Sequence, residues 1–253
     1  MSNIACYLQA TTKRLDYLEA TIHSINKLSD KFQEKFVSIH GEGITLGIVN
    51  LLETTNWKVD LFTGDRISAF KRSINSISAD YIFYIEDDIE LLDFPDEMYD
   101  VLKLELDDNG RKCGLLSMNL GGSTLRYPHA FGDFPTAKER VIQQNEKTFT
   151  FVRKEGLKNA YFFEFPCVVM EREMLMRILP NLTNTQIEMS LSLEFEKLRS
   201  EYYKASICKP EVTRFVDDMN NSIHIPNFDA QLETVKFYKL LDPNQGGILN
   251  GVK

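Results

Sequence analysis

The sequence predicts an α/β fold, a mixed and mostly parallel sheet with helices on both faces. Two observations carry this. Short apolar runs alternate with amphipathic stretches through the first half of the chain, as in strand–helix–strand units. One run, Tyr81–Ile85, is apolar on both faces and short, as a buried parallel strand is. It ends abruptly in three consecutive carboxylates, Glu86, Asp87 and Asp88.

Each element has its own signal. Ile4–Gln9 reads as the first strand. Lys13–Leu28 reads as a helix, because Leu15, Leu18, Ile22 and Ile25 recur at steps of three and four residues. Glu34–His40 and Val59–Phe62 are expected strands, the first ending in a turn at His40–Gly43. Ile67–Ser78 is an expected helix with Ile67, Phe70, Ile74 and Ile77 on one face. Further on, Glu97–Leu106 reads as a helix and Cys113–Met118 as a buried strand. Thr148–Arg153 and Ala160–Phe165 are expected to pair as a hairpin. Val168–Ile178 starts as strand and becomes helix, stopped by Pro180. Glu188–Lys204 reads as a helix and Ala205–Pro210 as a last strand. The Gly/Asn-rich residues 242–253 read as a tail.

Composition narrows the class. With 253 residues the chain can bury a full core as one α/β domain. A formal charge of −8 argues against general affinity for nucleic acid or acidic membranes. No signal peptide or apolar run of membrane-span length is visible. The four cysteines are far apart and read as reduced core residues of a cytoplasmic protein. A zinc site is not expected, since no histidine pairs with a cysteine at ligand spacing.

Acids at a strand's carboxyl end are costly unless something there needs negative charge. Ligands of open α/β sheets sit in the crevice outside those strand ends. Mg²⁺ and Mn²⁺ favour carboxylate oxygens, often shared with substrate phosphates. The triplet therefore reads as a metal–phosphate site. An ordinary acidic turn is the plain alternative. A calcium loop of the EF-hand type is excluded, because no Gly stands at the required spacing.

The order of elements, closing in Glu86-Asp87-Asp88, resembles the GT-A glycosyltransferases, whose Rossmann-like fold binds sugar nucleotides. Their acidic motif is usually Asp-x-Asp. The Glu-Asp-Asp form, with Ile89-Glu90 and Phe94-Pro95 behind it, resembles the N-acetylglucosaminyltransferase I family. Phe163–Glu173 is similar to that family's acceptor-side segment. Ala205–Arg214, with Ile-Cys-Lys-Pro-Glu, is similar to its late strand, and Phe228–Leu240 to its closing segment. The chain departs from the family in length, in lacking an anchor or stem, and at the uracil-contacting positions.

The resemblance implies a single catalytic domain over residues 1–241, with a nucleotide-sugar half (1–95) and an acceptor half (96–241). It implies a metal-dependent, inverting glycosyltransferase that moves a hexosyl, pentosyl or N-acetylhexosaminyl group from a nucleotide sugar, a UDP-sugar by preference, with Mn²⁺ or Mg²⁺. The acceptor is a hydroxyl of a glycan, small molecule, protein or modified nucleic-acid base. Asp88 becomes the direct metal ligand, and Glu86 and Asp87 hold metal-bound water or donor hydroxyls. The family's catalytic Asp falls on Glu194, with Glu188 in reserve. A base opposite the leaving group makes the reaction inverting. Gln9, Thr11 and Arg14 end the first strand and are expected to touch the nucleotide. His40, at the end of the second strand, lies where base and ribose sit. Arg66, Lys71 and Arg72 lie on the helix where this fold puts cations facing the nucleotide, though solvated helix charges explain them equally. His224 is expected to meet the diphosphate from a closing loop. Two other classes share the sheet, a sugar-nucleotide nucleotidyltransferase and an inactive nucleotide-sugar-binding protein. The first needs a Gly-rich loop where Gln9–Arg14 stands. The second has no use for the triplet.

Overall fold

The computed structural model describes residues 3–94, 112–118, 141–144, 148–152, 167–183, 187–198, 202–208 and 212–216. The described strands are β1 (Ile4–Thr11), β2 (Glu34–His40), β3 (Trp57–Phe62), β4 (Tyr81–Glu86), β5 (Ile89–Leu91), β6 (Lys112–Ser117), β7 (Val141–Gln144), β8 (Thr148–Val152), β9 (Cys167–Glu171), β10 (Tyr202–Cys208) and β11 (Thr213–Phe215). The described helices are α1 (Leu15–Asn26), α2 (Leu46–Thr54), α3 (Arg66–Ser76), α4 (Arg172–Ile178) and α5 (Ile187–Lys197).

Nine of the described strands form one sheet in the order β3-β2-β1-β4-β9-β6-β10-β8-β7. β1, β2, β3 and β4 are parallel, β9 runs against both β4 and β6, and β10 returns parallel to β6. The sheet is mixed and mostly parallel, as the alternating pattern predicts. Helices cover both faces. Leu18, Ile22 and Ile25 of α1 and Ile48 and Leu52 of α2 pack on one face, with Ile4, Cys6, Leu8, Val37 and Ile39. Ile67, Phe70 and Ile74 of α3, Met174 and Leu175 of α4, and Ile187, Leu191 and Phe195 of α5 pack on the other, with Ala5, Tyr7, Ile82 and Tyr84. The even and odd residues of β1 and β4 thus serve different cores, which is why these strands read as continuously apolar.

Several expectations need correction. The first helix is split, with a 3-10 turn at Thr12–Arg14 before α1. The helix expected over Glu188–Lys204 stops at Lys197, and Tyr202–Cys208 is already strand, held between β6 and β8. Thr148–Val152 does not pair with Ala160–Phe165 through a hairpin. Its two edges are taken by β7 and β10, and 160–165 lies outside the described residues. α2 was not expected. Its local signal is Thr45, whose hydroxyl caps Ile48 N. The expected helix Glu97–Leu106 and the tail also lie outside the described residues.

α5 has a direction that matters for the site. Its stripe Ile187, Leu191 and Phe195 lies against the sheet, and its last turn leads to the start of β10. A Cβ on Gly114 would come within 2.5 Å of Phe195 Cε2 and 3.1 Å of Met174 Sδ. The bare backbone of β6 therefore seats Phe195 and fixes the C-terminal half of α5. Gly114→Ala should destabilise the protein by about 1–3 kcal/mol through overpacking, read as a lower urea midpoint at unchanged slope.

Candidate active site

β1 lies between β2 on one side and β4 on the other, so the strand order reverses at β1–β4. That reversal is where open α/β sheets leave a crevice beyond their strand ends. Gln9 pairs with Glu86 across β1 and β4. The acids Glu86–Asp88 stand at this point, and all three are nearly buried, at 7, 0 and 1% exposure.

The triplet divides between the two faces. Ile82, Tyr84 and Glu86 alternate with Phe83 and Ile85, so Glu86 shares a face with Tyr84 and with Gln9 of β1. The Tyr84 hydroxyl lies 3.3 Å from Glu86 Oε1. The Gln9 amide, oriented with its nitrogen toward Tyr84 Oη at 2.7 Å, accepts from Arg66 Nε and Nη2, each at 2.9 Å. The result is one directed chain, Arg66 to Gln9 to Tyr84 to Glu86. The sequence pattern does not single out Tyr84 as a site residue. Its signal was available only as a polar-tipped aromatic two positions before an acid, on the same strand face.

Asp87 and Asp88 are held by Arg14. Arg14 Nη2 lies 2.5 Å from Asp87 Oδ1 and Nη1 lies 2.6 Å from Asp88 Oδ2. The first is an ion contact without hydrogen-bond alignment. The second is also a hydrogen bond. Thr11 N donates to Asp87 Oδ2 at 2.8 Å. The backbone is fixed as well. Thr21 Oγ1 of α1 donates to Asp87 O at 2.9 Å, and Val216 N donates to Asp88 O at 2.8 Å. β11 pairs with β5 immediately after the acids and holds that segment in register. Three of the four carboxylate oxygens are therefore engaged by the protein. Asp88 Oδ1 is buried and without a hydrogen-bond partner.

An unengaged, buried carboxylate oxygen fits a hard cation, and the three acids less the guanidiniums of Arg14 and Arg66 leave one net negative charge toward it. Among the described residues no group of three or more His, Cys, Asp or Glu side chains is set to hold a metal ion. The protein thus offers a partial ligand set of the kind Mg²⁺ sites complete with water and substrate phosphate. Burial pushes Asp87 up to about 6, against the opposing pull of Arg14 and the Thr11 N–H, with Asp88 adding to the rise.

The other expected residues divide clearly. His40 is half-buried at the end of β2, its ring 5.1 Å from that of Phe62. Gly41 follows at φ +116°, and a Cβ there would collide with Thr12 Oγ1, so the end of β2 presses on the end of β1. Arg66 is brought to the site. Lys71 and Arg72 are not. Lys71 Nζ bonds Leu182 O at 2.9 Å, and Arg72 Nη2 bonds Asp60 at 2.9 Å. Both serve packing between elements. His224 lies outside the described residues. Trp57 is buried, donating to Asn26 at 3.1 Å.

Glu194 is not brought to the triplet. It is 9% exposed and takes a 2.5 Å ion pair from Lys197 one turn on. Its neighbour Phe195 sits over Gly114, one residue before Leu115, which is level with Met170 and so with Ile82. Glu86 is four residues beyond Ile82, so about 16 Å of strand separates the two levels. α5 runs back from the acid-bearing edge, and Glu188 stands in its first turn, about 9 Å nearer that edge than Glu194.

No family model matches the chain, and no curated protein matches it. Solved structures do. Glucosyl-3-phosphoglycerate synthase from Mycobacterium tuberculosis, in complex with Mn²⁺, UDP-glucose and phosphoglyceric acid, matches with a TM-score of 0.53 at 16% identity, over 93% of this chain and 78% of that one. The same enzyme with Mg²⁺ and UDP gives 0.53 at 15%. The mannosyltransferase PcManGT from Pyrobaculum calidifontis, in complex with GDP-mannose and Mn²⁺, gives 0.52 at 16% over 87% of this chain and 58% of that one. The fold is the Rossmann-like GT-A arrangement that the sequence predicts.

Asp87 makes a pH prediction. A carboxyl with a folded value above its unfolded one costs stability as it ionises. Unfolding free energy should fall as pH rises from about 4 to 6, by about 1–3 kcal/mol. Asp87→Asn should flatten that slope in urea titrations between pH 4 and 7. A slope unchanged by the substitution would assign it to other groups.

Proposed function

We propose that this chain is a metal-dependent glycosyltransferase that takes a nucleotide sugar, a UDP-sugar by preference, at the carboxyl ends of β1 and β4. The observation that carries the reading is Asp88 Oδ1, a buried carboxylate oxygen without a hydrogen-bond partner at the reversal of strand order. The matched fold, in proteins whose crystals hold Mn²⁺ with UDP-glucose or GDP-mannose, supports it. The narrower likeness to the N-acetylglucosaminyltransferase I family rests on the Glu-Asp-Asp form and the segments quoted above, and stays part of the proposal. No described helix is long and apolar enough to cross a membrane, and Cys6 and Cys167 are free and buried. Both suit activity in the cytoplasm.

The proposal assigns the residues these roles. Asp88 holds the metal through Oδ1, and Asp87 is a clamp whose two oxygens belong to Arg14 and Thr11. The bound ion neutralises charge on the departing nucleoside diphosphate. Glu86, steadied by Tyr84 and Gln9, accepts from donor hydroxyls. Arg66 keeps Nη1 for an anion while its other nitrogens bind Gln9. Of the two candidate bases Glu188 is preferred to Glu194, because its position on α5 lies about 9 Å nearer the acid-bearing edge. A Glu188 base opposite the leaving group makes the transfer inverting.

A nucleotidyltransferase is disfavoured by the compact 3-10 turn at Thr12–Arg14, which takes the place of a Gly-rich phosphate loop. A binding protein without turnover is separated by donor consumption in the presence of Mn²⁺.

Asp88→Asn should abolish the metal dependence of UDP-sugar binding in calorimetry and lower turnover by at least ~10²-fold. Retention of wild-type turnover would overturn the site. Removing a general base costs ~10²–10⁴-fold. Glu188→Gln should show that loss at nearly unchanged donor Kd, and Glu194→Gln should not. The reverse pattern would return the role to Glu194 and contradict the strand-register placement.

A further inference from the structure

Arg14 differs from the two acids it holds in its exposure. It is the cation of a buried acid pair, yet its own side chain is 27% exposed. With Thr12, Lys13, Leu15, Asp16 and Tyr17 it lines an open cleft of about 570 Å³. The acids cannot follow it. Asp87 is fixed through Thr11 N and Thr21 Oγ1, and the Asp88 carbonyl through Val216 N. The rigid partner is the carboxylate pair, and the long flexible side chain is the one with a way out.

We propose that Arg14 is a displaceable counter-ion that couples metal loading to arrival of the donor's diphosphate. The inference rests on the metal-site reading of Asp88. A divalent ion on Asp88 Oδ1 would share one carboxylate with the guanidinium on Oδ2, and two cations that close repel strongly where water is scarce. Metal alone is therefore held weakly. A diphosphate entering from the cleft offers the guanidinium a planar, two-point anion in exchange for the carboxylates. Once Arg14 turns to it, the repulsion is relieved and Asp88 is free to bind fully. By linkage, each ligand then tightens the other by the same factor. Metal loads with the nucleotide and not before it.

The test is Mn²⁺ titration by electron paramagnetic resonance, with and without UDP, on wild type, Arg14→Gln, Arg14→Lys and Asp88→Asn, each checked for fold by circular dichroism. Arg14→Gln should bind Mn²⁺ alone at least ~10-fold more tightly than wild type, because the competing charge is gone. UDP should tighten Mn²⁺ binding more in wild type than in Arg14→Gln, and Arg14→Lys should keep weak binding of the metal alone. Equal or weaker Mn²⁺ binding by folded Arg14→Gln, alongside loss in Asp88→Asn, would overturn the counter-ion role and leave the metal site standing. Undiminished Mn²⁺ binding by Asp88→Asn would overturn the site itself. If Arg14→Gln does not fold, wild type decides, since Mn²⁺ binding indifferent to UDP contradicts the coupling.

Discussion

The contact on which the site depends is the fork of Arg14 across Asp87 and Asp88. Two adjacent carboxylates at 0 and 1% exposure are costly to bury without compensating donors. The fold supplies a guanidinium from the start of α1, a backbone N–H from the end of β1 and, for the peptide groups, Thr21 and Val216. Those donors come from β1, α1 and the strand β11 paired to β5, so much of the edge architecture converges on one turn. α1 itself carries a buried polar row. Thr21 and Ser24 face inward beside the apolar stripe, and Ser24 Oγ accepts from Leu91 N at 2.9 Å, which ties the segment after the acids to the helix. The helix is thus both a core element and a holder of the acid turn.

The two faces of the sheet divide the chemistry. On the α1 side, Arg14 and Thr11 leave one oxygen of Asp88 available. On the α3 side, Arg66, Gln9 and Tyr84 make a directed chain onto Glu86. Glu86 ends β4 and follows its alternation onto the α3 face, whereas Asp87 and Asp88 lie in the turn beyond the strand and share Arg14, so the three acids serve two different tasks without crowding. Keeping the acids apart also lowers the repulsion that three carboxylates on one face would carry.

Much of the frame was legible in the sequence, because the helices α1 and α3 and the strands β1, β2 and β4 announce themselves by period and by apolar runs. The acid triplet was legible for the same reason, since it interrupts such a run. Pairings far apart in sequence were not. That β8 lies between β7 and β10, or that β11 returns to β5, depends on chain geometry over long separations and leaves no local mark. The base is the instructive case. Glu188 and Glu194 lie on one helix, and the choice between them turns on how far β6 has slid along β9 and where Gly114 seats Phe195. Motif spacing favours Glu194, and register sets the Glu194 level about 16 Å of strand from Glu86. Lys71 and Arg72 fail differently. Their helix faces the right region, but their partners at Leu182 and Asp60 are fixed by tertiary packing.

The central claim is that Asp88 Oδ1 is the protein's open ligand position. Anomalous diffraction from a crystal soaked with Mn²⁺ and UDP measures this directly. A manganese peak within about 2.0–2.2 Å of Asp88 Oδ1, with Asp87 still bound to Thr11 N, is the expected result. A peak elsewhere in a crystal that holds UDP, with Asp88 unchanged, would contradict it.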